Sequence, residues 1–420
     1  MRLPTRLLIL PLTIGISQPA VLDAQTGQSP AHTTADSIPV SVRWNRLIPG
    51  FVDEAAARRR AARAAAAGDS AALRRIAQTP TPMLFRIYTL VSVAQYAAVN
   101  SARDNAALIP EVAVASASAA ALSELFTDSV VRASIERELS WDTERARARS
   151  RAADRIDAAK RLGEDVAHRV IASAPAFSLV GPWNGTIPTG PGMWYSAPGI
   201  PPIGVSLGKS RGWLLDSASQ FRPAPPPAFD SPTYRAALEE VRTVAHQRTS
   251  EQTAIAQRWN SADPWARWNE TASAALRRHP MPEAEAARVL ALLNVAASDV
   301  IIACFEAKYH YWTIRPSQAD TSLVLADSVD LPNFPSYPSG HACSAGAFDA
   351  VLGHFFPADR AMFTKIAEEQ AMSRLYGGIH YRFDNDTGLE LGRAVARNAI
   401  EREKRGGLNA WRTAGAVRKP

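Results

Sequence analysis

Small and apolar residues recur along this chain at helical spacing, and strand-like alternation is scarce throughout, so the pattern sets an all-α fold. Met83 to Ser101 carries Leu84, Ile87, Leu90, Val91, Ala94 and Ala98 on one broad stripe. Pro80 and Pro82 separate it from an Ala/Arg helix expected over Asp53 to Gln78. Further helix is expected from Pro110 to Leu125, and from Asp128 to about Ala174 in two pieces. Glu136, Glu138, Glu144 and Asp154 alternate there with Arg and Lys, as on a solvated face. Ser231 caps a helix with Pro232 at its first position, running to Ala245, and another spans Ser250 to Trp259. Trp265 and Trp268 fall in the connection that follows and read as core. A long helix begins near Pro282, with Val289, Leu292, Leu293, Ala296, Val300 and Cys304 as its core stripe.

Residues 175–230 break this pattern. Gly, Pro and Trp dominate, as in Gly190-Pro191-Gly192-Met193-Trp194 and the prolines from Pro223 to Pro227. A loop of this length inside a globular chain is functional or a cover, and its aromatics place it across the surface, framing a pocket mouth.

At the N-terminus Arg2 and Arg6 precede an apolar run, Leu7 to Ile16, and then Ala20-Val21-Leu22-Asp23-Ala24. This reads as a signal peptide over residues 1–24, and hence export to a periplasm or beyond. Residues 25–50 are polar with scattered Pro and Thr, a flexible leader. The remainder divides into an N-terminal helical region, 51–230, and a C-terminal helical domain, 231–410. No later segment offers ~20 uninterrupted apolar residues, the length of a membrane span. The net charge of +7 is spread over helix faces rather than gathered in a tail, and nucleic acid is not an expected partner. Cys304 and Cys343 are the only cysteines; they either pair or stay as buried thiols. The oligomeric state, homo-oligomer included, is left open.

Three segments carry chemistry. In Asn333-Phe334-Pro335-Ser336-Tyr337-Pro338-Ser339-Gly340-His341, the prolines hold the chain extended, and Ser339 caps a helix running from Ala342 until Pro357. The N–H groups at such a helix start, at the positive end of its dipole, form an anion site beside which His341 can move protons. Lys308 and Arg315, seven apart, sit almost two helical turns from each other near the end of the long helix, and Pro316 ends it there. In Ser373-Arg374 to His380, Gly377 and Gly378 allow a bend that brings Arg374 and His380 to one point, with Asp384 placed to hold the imidazole. Thr387-Gly388-Leu389-Glu390 then reads as the capping box of a last helix ending at Gly406-Gly407. A guanidinium grips a tetrahedral oxyanion through paired donors.

Lys308-x6-Arg315-Pro316, Pro338-Ser339-Gly340-His341 and Ser373-Arg374-x5-His380-x3-Asp384 together resemble the three-part signature joining phosphatidic acid phosphatase type 2 enzymes with vanadium-dependent haloperoxidases. Gln220 to Pro227, Glu251 to Ala256 and Ala307 to Trp312 look like the bacterial haloperoxidase-type branch; Ala94 to Asn100 is a looser match. The resemblance covers roughly residues 210–400. It implies an all-helical fold around a four-helix bundle and a pocket for phosphate or vanadate. Lys308, Arg315, Arg374 and the Ser339–Gly340 region would hold the oxygens. His380 would be the axial vanadium ligand, or the nucleophile that becomes phosphorylated in a phosphatase, and His341 the acid–base residue. The implied cofactor is vanadate, with hydrogen peroxide and halide as substrates; a phosphatase would take a phosphate ester and need no cofactor. A non-catalytic oxyanion-binding protein is the third reading. Phe334 falls where haloperoxidases carry a residue thought to bear on halide preference, with wall packing as the alternative. Ile314 stands where a Trp is frequent in that family.

His32, His168, His246, His279 and His354 have no partner spacing and read as surface or packing residues. His310 is expected to point away from Lys308. No His/Cys cluster has zinc-ligand spacing.

Overall fold

A computed structural model describes residues 38–411 apart from 68, 70–82, 106–107, 150–152, 177–182, 197–198, 262 and 328. The signal peptide over 1–24, the start of the leader, and the end of the helix expected to reach Gln78 lie outside the described residues. What is described is all-α, with one isolated antiparallel bridge, Met193 to Thr313. The long helices are α1 (Val40–Ala65), α2 (Leu84–Arg103), α3 (Pro110–Leu125), α4 (Ser129–Arg149), α5 (Ala153–Ser173), α6 (Pro232–Gln247), α7 (Ser250–Ser261) and α8 (Pro264–Arg278). They continue with α9 (Glu283–Tyr311), α10 (Gly340–Phe355), α11 (Arg360–Tyr376) and α12 (Arg382–Lys404).

Punctuation by proline and short polar residues explains many of these starts. Pro110, Pro232 and Pro264 occupy first helical positions, where a missing N–H costs nothing. Ser231 accepts from the N–H of Tyr234 and Asp263 from that of Trp265. Three expectations are corrected. The leader does not run to residue 50, because α1 already begins at Val40. Its first N–H groups, at Val40 and Ser41, are taken by the Glu283 carboxylate at the start of α9. Trp44 is buried with its indole N–H on Asp142, and Arg43 pairs with Glu138 and Asp142. Trp265 and Trp268 are core, as expected, but they lie on α8 and not in a connection. The last helix starts one turn before Thr387, at Arg382, and Asp384 closes its capping box by accepting the Tyr381 N–H.

Helix α9 is the axis of the molecule. It is buried on every side from Val289 to Phe305 rather than along one stripe, as a helix apolar all round must be. By length and composition it could cross a membrane, although Arg288, Asn294 and Asp299 interrupt its apolar run; 94% of its most apolar window is buried inside the protein. It packs against α2, α10 and α12. One contiguous core runs from Val42 to Leu408. Within it Asn269 and Asn294 exchange side-chain hydrogen bonds of 2.9 Å, so two buried amides satisfy each other.

The Gly/Pro/Trp segment covers this bundle, held mainly through its backbone. Trp213 and Leu214 donate N–H bonds of 2.6 and 2.7 Å to the buried Asp299 carboxylate. The hydroxyls of Tyr309, Tyr311 and Tyr337 donate to the carbonyls of Ile203, Pro223 and Ala224. Gln318 and Asn333 donate to those of Tyr195 and Pro201.

The closest helix contact is α10 against α12. A Cβ on Gly346 would stand 2.2 Å from the Leu389 carbonyl oxygen, and one on Gly392 2.2 Å from that of Cys343. Only backbone opposes each position, so no flexible side chain can yield. Gly392→Ala is expected to cost about 1–3 kcal/mol through forced separation of the two helices, read as a lowered urea midpoint; an unchanged midpoint would contradict the close crossing.

Candidate active site

The three signature segments meet where α9 ends and α10 and α12 begin. Helix α9 ends at Tyr311, with Trp312 in the left-handed region, so Arg315 stands outside the helix and not at its end as expected. It caps the single turn Pro316–Ala319 in extended conformation. Ser339 caps α10, and α11 ends at Tyr376, followed by a turn with Gly378 at φ 79°. Lys308, Arg315, Arg374, His380, Asp384 and Ser339 are all buried; Gly340 and His341 are half-buried. A Cβ on Gly340 would meet nothing within 4 Å, so the α10 start faces open space.

Backbone carbonyls hold the cations. Lys308 Nζ donates to Pro335 at 2.8 Å and Ser336 at 2.7 Å, leaving one of its three protons. Arg315 donates from Nε to Phe334 at 3.0 Å and from Nη1 to Ile379 at 2.8 Å, while its buried Nη2 has no partner. Arg374 reaches the Ala256 carbonyl at 3.2 Å and Asn260 Oδ1 at 3.4 Å, both from the last turns of α7. The negative end of that helix favours a cation there. The Phe334 ring lies 5.0 Å from Lys308 Nζ and 5.1 Å from Arg315 Cζ, so it is a wall that contacts both charges.

None of the three cations forms an ion pair among the described residues, and Asp384 is the buried carboxylate that acts on Lys308 and Arg315. Burial pushes Lys308 down to about 8 and Arg315 and Arg374 down to about 10. Uncompensated buried positive charge is costly, and an anion placed among the groups offsets that cost.

The two histidines differ in their holds. His380 Nδ1 lies 2.9 Å from Asp384 Oδ2, which turns Nε2 toward Arg315 Nη1 at 3.4 Å. Asp384 Oδ2 also accepts from Ser336 Oγ at 2.6 Å and Tyr381 N–H at 3.1 Å, so every group around it is a donor. Burial raises Asp384 to about 6, leaving it ionised at neutral pH. His341 Nε2 sits 3.3 Å from the Trp259 carbonyl of α7. Burial first, then the surrounding cations (Arg315 foremost at His380, Arg374 at His341), keeps both imidazoles well below their usual range and neutral.

Sequence reasoning missed Ser336 and the α7 acceptors Ala256, Trp259 and Asn260. The latter are mostly backbone carbonyls, which no residue type announces. The thiols of Cys304 and Cys343 are free and buried beneath this cluster, with Cys304 Sγ 3.7 Å from the Pro338 carbonyl. His310 stacks edge-on against Tyr311 and is exposed; His279 bonds Asp359 at the surface. A cavity of about 620 Å³ opens elsewhere, at the starts of α1, α3 and α9, and shares no residue with this cluster.

Fold and site define a helical-bundle protein in which a cation cluster, a helix start and two histidines converge. A family model described as the VCPO second helical-bundle domain matches residues 359–406. A vanadium-dependent bromoperoxidase of Ascophyllum nodosum is 32% identical over 101 residues, 17% of this chain and 18% of its own length. A lipid A 1-phosphatase of Rhizobium etli is 41% identical over 59 residues, 14% of this chain and 25% of its own. These alignments thus span a quarter or less of either relative. Among solved structures, a bacterial vanadium-dependent iodoperoxidase superposes with a TM-score of 0.61 at 24% identity, covering 76% of this chain and 90% of that one. The apo form of a bacterial vanadium-dependent chloroperoxidase also gives 0.61, at 13% identity, covering 77% and 94%. These likenesses support the resemblance to the superfamily that unites vanadium-dependent haloperoxidases with type 2 phosphatidic acid phosphatases.

If the unpartnered Arg315 Nη2 is an oxyanion donor, Arg315→Ala should weaken binding of inorganic phosphate and of orthovanadate by about 10–100-fold, one or two charge-assisted hydrogen bonds. Isothermal titration measures this; unchanged affinity would remove Arg315 from the pocket.

Proposed function

We propose that this chain is a vanadate-dependent haloperoxidase that oxidises halide with hydrogen peroxide. The carrying observation is the set of three buried cations without an ion-pair partner among the described residues, gathered beside an imidazole whose Nε2 is turned toward them. A multiply charged tetrahedral oxyanion fits that set. Lys308, Arg315 and Arg374 would hold its oxygens together with the Ser339 hydroxyl and the Gly340 N–H at the start of α10, the Ser339 N–H being taken by the Asp384 carbonyl. The buried Nη2 of Arg315 is a donor in want of such an acceptor. His380 would ligate the vanadium through Nε2, with Asp384 fixing the ring. Bound vanadate supplies Lewis-acid activation of hydrogen peroxide.

His341, neutral and half-buried, would take and return a proton at Nδ1, the ring nitrogen not engaged by the Trp259 carbonyl. The cover over residues 183–230 and the Phe334 wall would limit water around the buried charges, which strengthens every electrostatic contact inside. Export through the sequence over residues 1–24 belongs to the same reading.

Likeness to peroxidases over 90% and 94% of their chains supports this choice. The 59-residue match to a phosphatase supports a second reading, phosphate-ester hydrolysis in the same pocket. There His380 Nε2 would bond to phosphorus as the ester oxygen leaves, with His341, once protonated at Nδ1, giving that oxygen its proton; water would then cleave the phosphorus–nitrogen bond and return a proton to His341.

One pair of assays separates the readings. Purified protein receives orthovanadate, peroxide and bromide with a halogen-trapping dye, and separately a chromogenic phosphate ester. Vanadate-dependent dye halogenation is expected. Ester turnover inhibited by vanadate would transfer the assignment to the phosphatase, and neither activity would leave an oxyanion binder. His380→Ala should abolish the activity, and His341→Ala should lower it by about 10²–10⁴-fold; full activity in either variant would end this mechanism.

A further inference from the structure

One residue outside the signature touches two of its segments and lies two positions before the third. Ser336 lies five positions before His341 and is fully buried. Its carbonyl accepts from Lys308 Nζ at 2.7 Å, and its N–H donates to the carbonyl of Thr313, two residues before Arg315, at 2.9 Å. Its hydroxyl donates to Asp384 Oδ2 at 2.6 Å and lies 3.4 Å from His380 Nδ1. The two backbone bonds survive any replacement that keeps the chain path. The hydroxyl is therefore the separable link, and it leads to the imidazole through Asp384.

We propose that Ser336 is a positioning residue that fixes the protonated nitrogen of His380 by anchoring the Asp384 carboxylate. A carboxylate oxygen surrounded by three donors can only accept, so the ring nitrogen facing it must carry the proton. His380 is thereby held as the Nδ1–H form, and its Nε2 lone pair faces Arg315. Asp384 Oδ1 has no partner of its own. Without the Ser336 hydroxyl, the shortest of the three bonds, the carboxylate is free to rotate and present either oxygen. The ring then samples the Nε2–H form that an unconstrained neutral imidazole prefers, and that form has no lone pair to offer on the pocket side. The consequence for ligation rests on the proposed oxyanion pocket; the effect on the ring does not.

The test compares wild type, Ser336→Ala and Ser336→Thr at one fixed pH. Ring ¹⁵N shifts of histidine-labelled, ligand-free protein report the tautomer, with the His380 signals assigned by their loss in His380→Gln. Wild type and Ser336→Thr should show His380 as the Nδ1–H form, and Ser336→Ala a mixture. Calorimetry with orthovanadate should show about a tenfold weaker affinity for Ser336→Ala, the worth of one hydrogen bond to a charged group, restored by Ser336→Thr. An unchanged His380 tautomer in Ser336→Ala overturns the proposal, even if stability falls. Should Ser336→Ala not fold, Ser336→Cys, near in size but a weak donor, takes its place with the same expectation. If wild type binds neither vanadate nor phosphate, the pocket reading fails, while the tautomer comparison still decides the role of Ser336.

Discussion

Positive charge held by carbonyl oxygens is the interaction on which this site rests. Several arginines elsewhere are neutralised by carboxylates, as Arg222 by Glu306 and Arg382 by Glu240 at the surface. Lys308, Arg315 and Arg374 receive main-chain carbonyls and side-chain oxygens of Ser373 and Asn260 instead. A carbonyl dipole orients a cation without cancelling its charge, so the potential inside remains available to an anion. The depressed pKa values of all three are the physical trace of that arrangement: burial loosens each proton, yet all three groups stay charged at neutral pH.

Helix packing sets the precision of the cluster. His341 stands at the start of α10, and His380 and Asp384 at that of α12. Gly346 and Gly392 let those two helices touch through backbone, which fixes their separation more tightly than interdigitated side chains could. Asp384 joins local and tertiary structure in one group: it closes the cap of α12, accepts from Ser336 and orients His380. The carbonyl of Asp384 in turn accepts the N–H of Ser339 at 2.9 Å, tying the two helix starts directly.

Much of this was legible because residue type and helix position coincide. Pro316, Pro338 and Gly377-Gly378 mark where helices stop or turn, and the charged and imidazole groups stand beside those marks. What escaped reading is tertiary. The α1 start looks like a leader because it follows a polar, Thr- and Pro-containing stretch and has Pro39 and Pro49 at either side, yet the Glu283 carboxylate, 243 positions from Val40, completes its first turn. Trp265 and Trp268 looked like connection because Asp263-Pro264 is also a turn signal, and only the buried face of α8 decides between the two. The acceptors on α7 belong to the backbone and have no signature at all. Ser336 was visible as a letter in a turn, but its three bonds run to residues 23 to 48 positions away, where local pattern has no reach.

The cover over the bundle is fastened largely by its own peptide groups, while many of the fastening side chains belong to the scaffold beneath it. Tyrosine hydroxyls, a glutamine, an asparagine and one buried aspartate grip carbonyls and N–H groups that every amino acid presents, proline excepted for the N–H. The side chains of Tyr195 and Ile200, exposed there, are thus decoupled from the anchoring. Such a rim can be rewritten letter by letter while the charged interior stays in register; under the proposed function, the breadth of what enters can drift independently of the chemistry at its base.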